Sequence, residues 1–134
     1  MSANIEKAYS PSIHYHGGNG REYYGLGGLG SYFLSVLAMF PDCLMQVDDV
    51  YWMGNDQDDY LVSVRWNLVG SHTGYGIYGD PTGKPVHMKG LTHLKIRDEK
   101  IIEEWTLFNE LGILMQLEGI EDPANQADDN ESTE

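Results

Sequence analysis

Cationic side chains are scarce in this sequence: 8 lysines and arginines stand against 21 aspartates and glutamates, for a formal net charge of −13. Such a balance repels phosphate backbones and anionic headgroups, and the basic residues are scattered, so neither nucleic acid nor a membrane surface is an expected partner. Cysteine is nearly absent. The single Cys43 cannot close an intrachain disulfide, which fits a reducing compartment. Set between Pro41-Asp42 and Leu44-Met45, it reads as an inert thiol. No run approaches the roughly 18 apolar residues of a membrane span. The first residues also lack the basic and apolar regions of a signal peptide, so a cytoplasmic location is the expectation.

What is present is ordinary globular composition, 134 residues with 41% hydrophobic and 22% charged, enough for one compact core. Residues 1–118 read as one α+β domain. Residues 119–134 are acidic and almost without apolar side chains, which predicts a disordered tail. Within the domain, Ser2 to Tyr9 suggests a short helix ended by Ser10-Pro11, and Ile13 to Tyr15 a β-like run. Gly17 to Gly20 supplies a turn before Glu22 to Tyr24. Leu29, Tyr32, Phe33, Val36, Leu37 and Phe40 share one helical face, stopped by Pro41. From there the period becomes two, and Val47 to Trp52 with Tyr60 to Leu68 predict a β-hairpin. Asp80-Pro81-Thr82-Gly83 has the chemistry of a β-turn. Val86 to Ile96 and Ile101 to Phe108 predict a second hairpin, and Leu111 to Leu117 a closing helical turn. Short links require antiparallel pairing, so the predicted architecture is a curved antiparallel sheet with helices on one face.

Several motifs invite chemistry. Gly25-Leu26-Gly27-Gly28-Leu29-Gly30 has dinucleotide-fingerprint spacing, with Asp48 and Asp49 about twenty residues on, but that fingerprint works in a parallel βαβ sheet, and everything downstream here reads as antiparallel in a chain too short for a doubly wound domain. Thr82-Gly83-Lys84-Pro85 lacks the hydroxyl residue after lysine that a P-loop uses for its metal. His14 and His16, two apart on a strand, project from one face as paired metal ligands do, with Glu22 nearby; the plainer reading is a neutral hydrogen-bonding histidine lining a pocket. Histidine as a residue type can serve as general acid or base near neutrality, so His72, at a strand end, and His93, mid-strand, are candidates, though structural histidines are commoner. In the last strand Glu103, Trp105, Leu107 and Asn109 share one face and Ile102, Glu104, Thr106 and Phe108 the other. If Trp105 points inward so does Asn109, and the opposite face then needs cover, for which a dimer partner is the economical source.

Four stretches together resemble a known family. They are Phe40-Pro41-Asp42; Val64-Arg65-Trp66 with Gly70-Ser71-His72-Thr73-Gly74; Asp80-Pro81-Thr82-Gly83-Lys84 leading to Gly90; and Lys100-Ile101-Ile102-Glu103-Glu104-Trp105 leading to Leu114-Met115-Gln116-Leu117. Their order and spacing resemble the SnoaL-like polyketide cyclase or ester cyclase family of the nuclear-transport-factor-2-like superfold. The resemblance implies a cone-shaped, strongly curved sheet closed by N-terminal helices around a pocket, usually in a homodimer, with no metal or organic cofactor. It also implies an intramolecular aldol closure in which a carboxylate takes a proton α to a carbonyl. The family's acid–base aspartate lies four residues after the last strand's tryptophan, and here that position is Asn109. An amide cannot abstract the proton but can orient a substrate or stabilise an enolate. Glu110 is adjacent but of opposite parity, which leaves His93, His72 and His16 as candidate bases. His16, Phe33, Trp66, Trp105 and Gln116 are the expected substrate-binding residues. Three functions follow: a cofactor-independent cyclase-like enzyme acting on a hydrophobic, carbonyl-containing ligand, a noncatalytic binding protein of the same fold, or a metal enzyme built on His14 and His16.

Overall fold

The computed structural model describes residues 2–119. Helix α1 (Ser2–Ala8) leads directly into strand β1 (Tyr9–His16). A 3-10 turn, Gly18–Gly20, reverses the chain into β2 (Glu22–Tyr24), which pairs antiparallel with β1. Helix α2 then runs from Gly25 to Met39. It begins four residues earlier than its apolar periodicity suggests and takes in the glycine run. Those glycines are therefore helical backbone and not a phosphate-binding loop. Gly25 makes the turn out of β2, where φ is +71°, a value glycine tolerates without strain. Phe40 closes the helix, its N–H donating to the Val36 carbonyl, and Pro41 prevents continuation.

Two hairpins follow, as the alternating pattern predicts. Strands β3 (Leu44–Met53) and β4 (Tyr60–Ser71) pair antiparallel, then β4 with β5 (Pro85–Arg97), and β5 with β6 (Lys100–Phe108). Asp98 and Glu99, at φ +50° and +65°, form the two-residue link between β5 and β6. Helix α3 (Glu110–Leu117) folds back onto β5.

The strand order is β2-β1-β6-β5-β4-β3, and the two end strands do not pair, so the sheet curves without closing. Register shifts at Val47/Asp49, at Lys95/Ile96 and between Tyr9 and His14 contribute the bends. One pairing departs from the expected all-antiparallel sheet: β1 runs parallel to β6. Short links govern only neighbours in sequence, whereas β1 and β6 lie at opposite ends of the domain, and that long connection permits the parallel arrangement. Two clusters fill the concave side. Leu29 of α2 joins Ile5, Ile13 and Tyr15, and Met39 and Phe40 join Trp66, Leu68, Val86, Met88, Ile113 and Leu117. Gly90 makes the second cluster possible. A Cβ there would lie 2.1 Å from Cζ2 of Trp66, whose ring covers it from the paired strand. Among the described residues no helix is long and apolar enough to cross a membrane.

Candidate functional site

Between α2 and the concave face of the sheet lies a cavity of about 450 Å³. Its walls are mostly apolar, with Phe33 and Val36 from α2 and Phe40 just after it facing Trp66, Leu68 and Met88 from the sheet. The polar groups reaching it are few: the phenols of Tyr9, Tyr15, Tyr32 and Tyr78, the hydroxyls of Thr92 and Thr106, and the carboxylate of Glu104.

Among the described residues, Glu104 is the only carboxyl group on that wall, and it is 5% exposed. Tyr9 donates its phenolic hydrogen to Oε1 at 2.8 Å. On the other oxygen a chain of hydrogen bonds ends. The Trp66 indole donates to Oγ1 of Thr92 at 2.8 Å, Thr92 and Thr106 share a hydrogen bond of 2.9 Å, and Thr106 reaches Oε2 of Glu104 at 3.5 Å. An indole N–H only donates and an ionised carboxylate only accepts, so the hydrogens in between all point toward Glu104 while it is charged. Burial nevertheless dominates and raises the Glu104 pKa from its ordinary 4.5 to about 6, the bonds from Tyr9 and Thr106 opposing the rise. Burial also holds the phenols of Tyr9 and Tyr15 far above the usual tyrosine range, so both remain hydrogen-bond donors.

The structure separates the residues that the sequence nominated. Phe33 and Trp66 line the cavity. His93 and Trp105 do not: they pair across β5 and β6 on the outer face, the reverse of the inward orientation considered for Trp105. The inward residues of β6 are Glu104, Thr106 and Phe108. His16 is also on the outer face, its ring stacked on Trp105 at 5.2 Å with 2° between the planes. His72 is fully buried but outside the cavity lining. Its Nδ1 accepts the backbone N–H of Thr82 at 3.3 Å and ties the two ends of the glycine-rich loop together. Asn109 is the N-cap of α3, its Oδ1 accepting from the Gly112 N–H at 3.0 Å, a role that asparagine and aspartate fill equally well. It borders a separate cleft beside Arg21, Tyr78 and Glu110, where Arg21 pairs with Glu110 at 2.9 Å. Gln116 clamps the backbone of His87 through both amide atoms, at 2.8 and 3.0 Å, and so fastens α3 to β5. Cys43 has a thiol pKa raised chiefly by burial, consistent with an inert side chain.

Glu104, Tyr9, Thr92 and Thr106 escaped the sequence reading. The signal available was the parity of β6, where one face carries Glu and Thr between Ile102 and Phe108. A large tryptophan on the other face made that other face look internal.

The family model of the SnoaL-like polyketide cyclases matches residues 1–117, and the chain belongs to that family. No functionally curated protein matches the sequence. Among solved structures, the fold is similar to a candidate SnoaL-like polyketide cyclase from Jannaschia sp. CCS1, at 17% identity and TM-score 0.77 over 87% of this chain and 77% of that one. It is also similar to IdmH, a candidate polyketide cyclase from Streptomyces antibioticus, at 26% identity and TM-score 0.71 over 87% and 86% of the two chains. AclR, a candidate hydroxylase from Streptomyces galilaeus, shares the fold at 24% identity and TM-score 0.72, over 90% of this chain and 75% of its own.

Proposed function

We propose that this protein is a cofactor-independent cyclase of the polyketide or ester cyclase type, in which Glu104 is the acid–base group. The observation that carries the reading is a buried carboxylate inside an apolar cavity, held on one oxygen by Tyr9 and on the other by the chain from Trp66. A flat, carbonyl-bearing hydrophobic molecule suits walls of this composition. Glu104 removes a proton from the carbon between or beside carbonyls, and the carbanion attacks a second carbonyl carbon of the same molecule. A C–C bond forms, the attacked C=O π bond opens to an alkoxide, and the proton returns from Glu104 to that oxygen. Nothing is oxidised and no co-reactant is consumed. The phenols of Tyr9 and Tyr15, un-ionised at any working pH, are suited to donate to the enolate oxygen. This assignment moves the base from the histidines and Asn109 to the residue that faces the cavity.

The test is ring closure on poly-β-carbonyl esters, followed by absorbance and mass spectrometry. Wild type is expected to turn over, and Glu104→Gln to lose at least about 100-fold in kcat, in the range of a removed general base. His93→Ala is expected to retain activity. A wild type that binds such molecules without converting them would favour the noncatalytic ligand-binding reading. Undiminished turnover by Glu104→Gln would remove Glu104 from the mechanism.

A further inference from the structure

We propose that the outer face of the sheet carries a binding site for a divalent transition-metal cation of the zinc class, made by His14, His16 and Glu103, with Glu22 beside it. One nitrogen from each ring and one oxygen of Glu103 lie within 4.8 Å of one another. The site is created by the pairing of three strands. β1 offers His14 and His16 on one face, β2 places Glu22 opposite His16, and the parallel strand β6 places Glu103 opposite His14. Tyr15, between the two histidines, points into the cavity, so the cluster is separated from Glu104 by the thickness of the sheet.

Two hydrogen bonds hold the cluster, His14 Nε2 with Glu22 at 3.2 Å and His16 Nε2 with Glu103 at 2.8 Å. Each carboxylate approaches both rings: Glu22 is 3.2 Å from Nε2 of His14 and 3.3 Å from Nδ1 of His16, while Glu103 is 3.8 Å from Nδ1 of His14 and 2.8 Å from Nε2 of His16. Each neutral ring carries one N–H, enough for these two hydrogen bonds, and keeps one nitrogen lone pair for a ligand. A divalent cation takes up lone pairs of nitrogen and oxygen together. Zinc bonds of 2.0–2.2 Å in a tetrahedron place ligand atoms about 3.3 Å apart, inside the 4.8 Å span of the three ligand atoms.

The surroundings hold the ligands in position, as the supporting groups of metal sites do. His14 is stacked against Tyr24 at 4.4 Å and His16 against Trp105 at 5.2 Å, so the two imidazoles sit inside a four-ring column. Tyr24 also donates to Oε2 of Glu22 at 3.2 Å, leaving Oε1 for the rings. The side chains are a quarter to a half exposed, which gives a cation access. Two imidazoles favour zinc, nickel or copper over magnesium or calcium. Three protein ligands leave the fourth tetrahedral position to water, and the cation would tie β1 and β6 together.

Chelator-treated full chain titrated with Zn²⁺ alone is expected to take up one equivalent by calorimetry. Its thermal midpoint should rise by roughly 5–10 °C at a hundredfold excess over the dissociation constant. Glu103→Gln should weaken binding at least about 10-fold and His14→Gln with His16→Gln abolish it, each variant checked for folding by circular dichroism without metal. His93→Gln, an exposed histidine on the same face outside the cluster, should bind as wild type. Absence of stoichiometric zinc, equal loss in His93→Gln, or full binding by the double variant would each overturn the proposal. Should a variant fail to fold, Co²⁺-loaded wild type decides: intense visible bands support four-coordinate nitrogen and oxygen ligation, and a pale six-coordinate spectrum refutes it.

Discussion

In the proposed mechanism, Glu104 sets chemistry and stability against each other. Its pKa lies higher in the folded chain than the ordinary 4.5, at about 6, so between those values the native state holds more proton than the unfolded one. Stability contributed by the neutral carboxyl is therefore complete below pH 4.5 and is lost as pH rises through 6. A rise of that size corresponds to about 2 kcal/mol at neutral pH. Glu104→Gln keeps an oxygen to accept from Tyr9 and carries no charge, so it should be more stable than wild type by up to about 2 kcal/mol at pH 7.5. The difference should vanish near pH 4, as measured by urea unfolding of metal-free protein. Catalysis runs the opposite way. The base form is ionised Glu104, so kcat on a cyclisable ester should climb with pH, reach half its plateau near pH 6 and be flat above about 7. A profile without that inflection would dissociate the rate from Glu104.

Among the elements, the β4–β5 pair positions the hydrogen-bond chain that ends on the carboxylate. Trp66 lies across Gly90, and its indole reaches Thr92 from there. Gly90→Ala would insert a methyl group 2.1 Å from the ring, forcing Trp66 to move and break its bond to Thr92. The expected cost is about 1–3 kcal/mol of stability, as for overpacked cores. Trp52 and Trp105 are 67% and 37% exposed against 6% for Trp66, so the blue-emitting fluorescence comes from Trp66 and should shift to the red. Unchanged emission would show that the ring stays in place. The β5–β6 hairpin sets the parity of the whole site, because it decides that Glu104 and Thr106 face α2 while His93 and Trp105 face away.

For the whole molecule, the outer face of the sheet exposes Leu44, Val69, Leu91 and Leu107, and we propose that a second copy of the chain covers these side chains and leaves the histidine cluster open, the assembly implied by the family resemblance. Sedimentation at micromolar concentration should give a dimer, and Leu107→Asp, at a side chain 67% exposed, should shift it toward monomer without unfolding it. A monomeric wild type would contradict this. Much of the fold was legible in the residues themselves. The stripe from Leu29 to Phe40, the alternation of Tyr60 to Leu68 and the turn residues around Asp80-Pro81 determined α2, the hairpins and the loop, because periodicity and turn chemistry act between near neighbours. Alternation also divided β6 into two faces, but a period of two does not say which face is inside. That was decided by α2 and β1, which cover the Glu104 side. The same holds for the functional clusters. Tyr9 meets Glu104 and His16 meets Glu103 across 95 and 87 residues of chain, through a parallel pairing of β1 with β6 that no local pattern announces. The sequence by itself determined the elements and the family. Only the tertiary structure decided which carboxylate is buried and which is gathered with histidines at the surface, because both outcomes depend on contacts between the two ends of the domain.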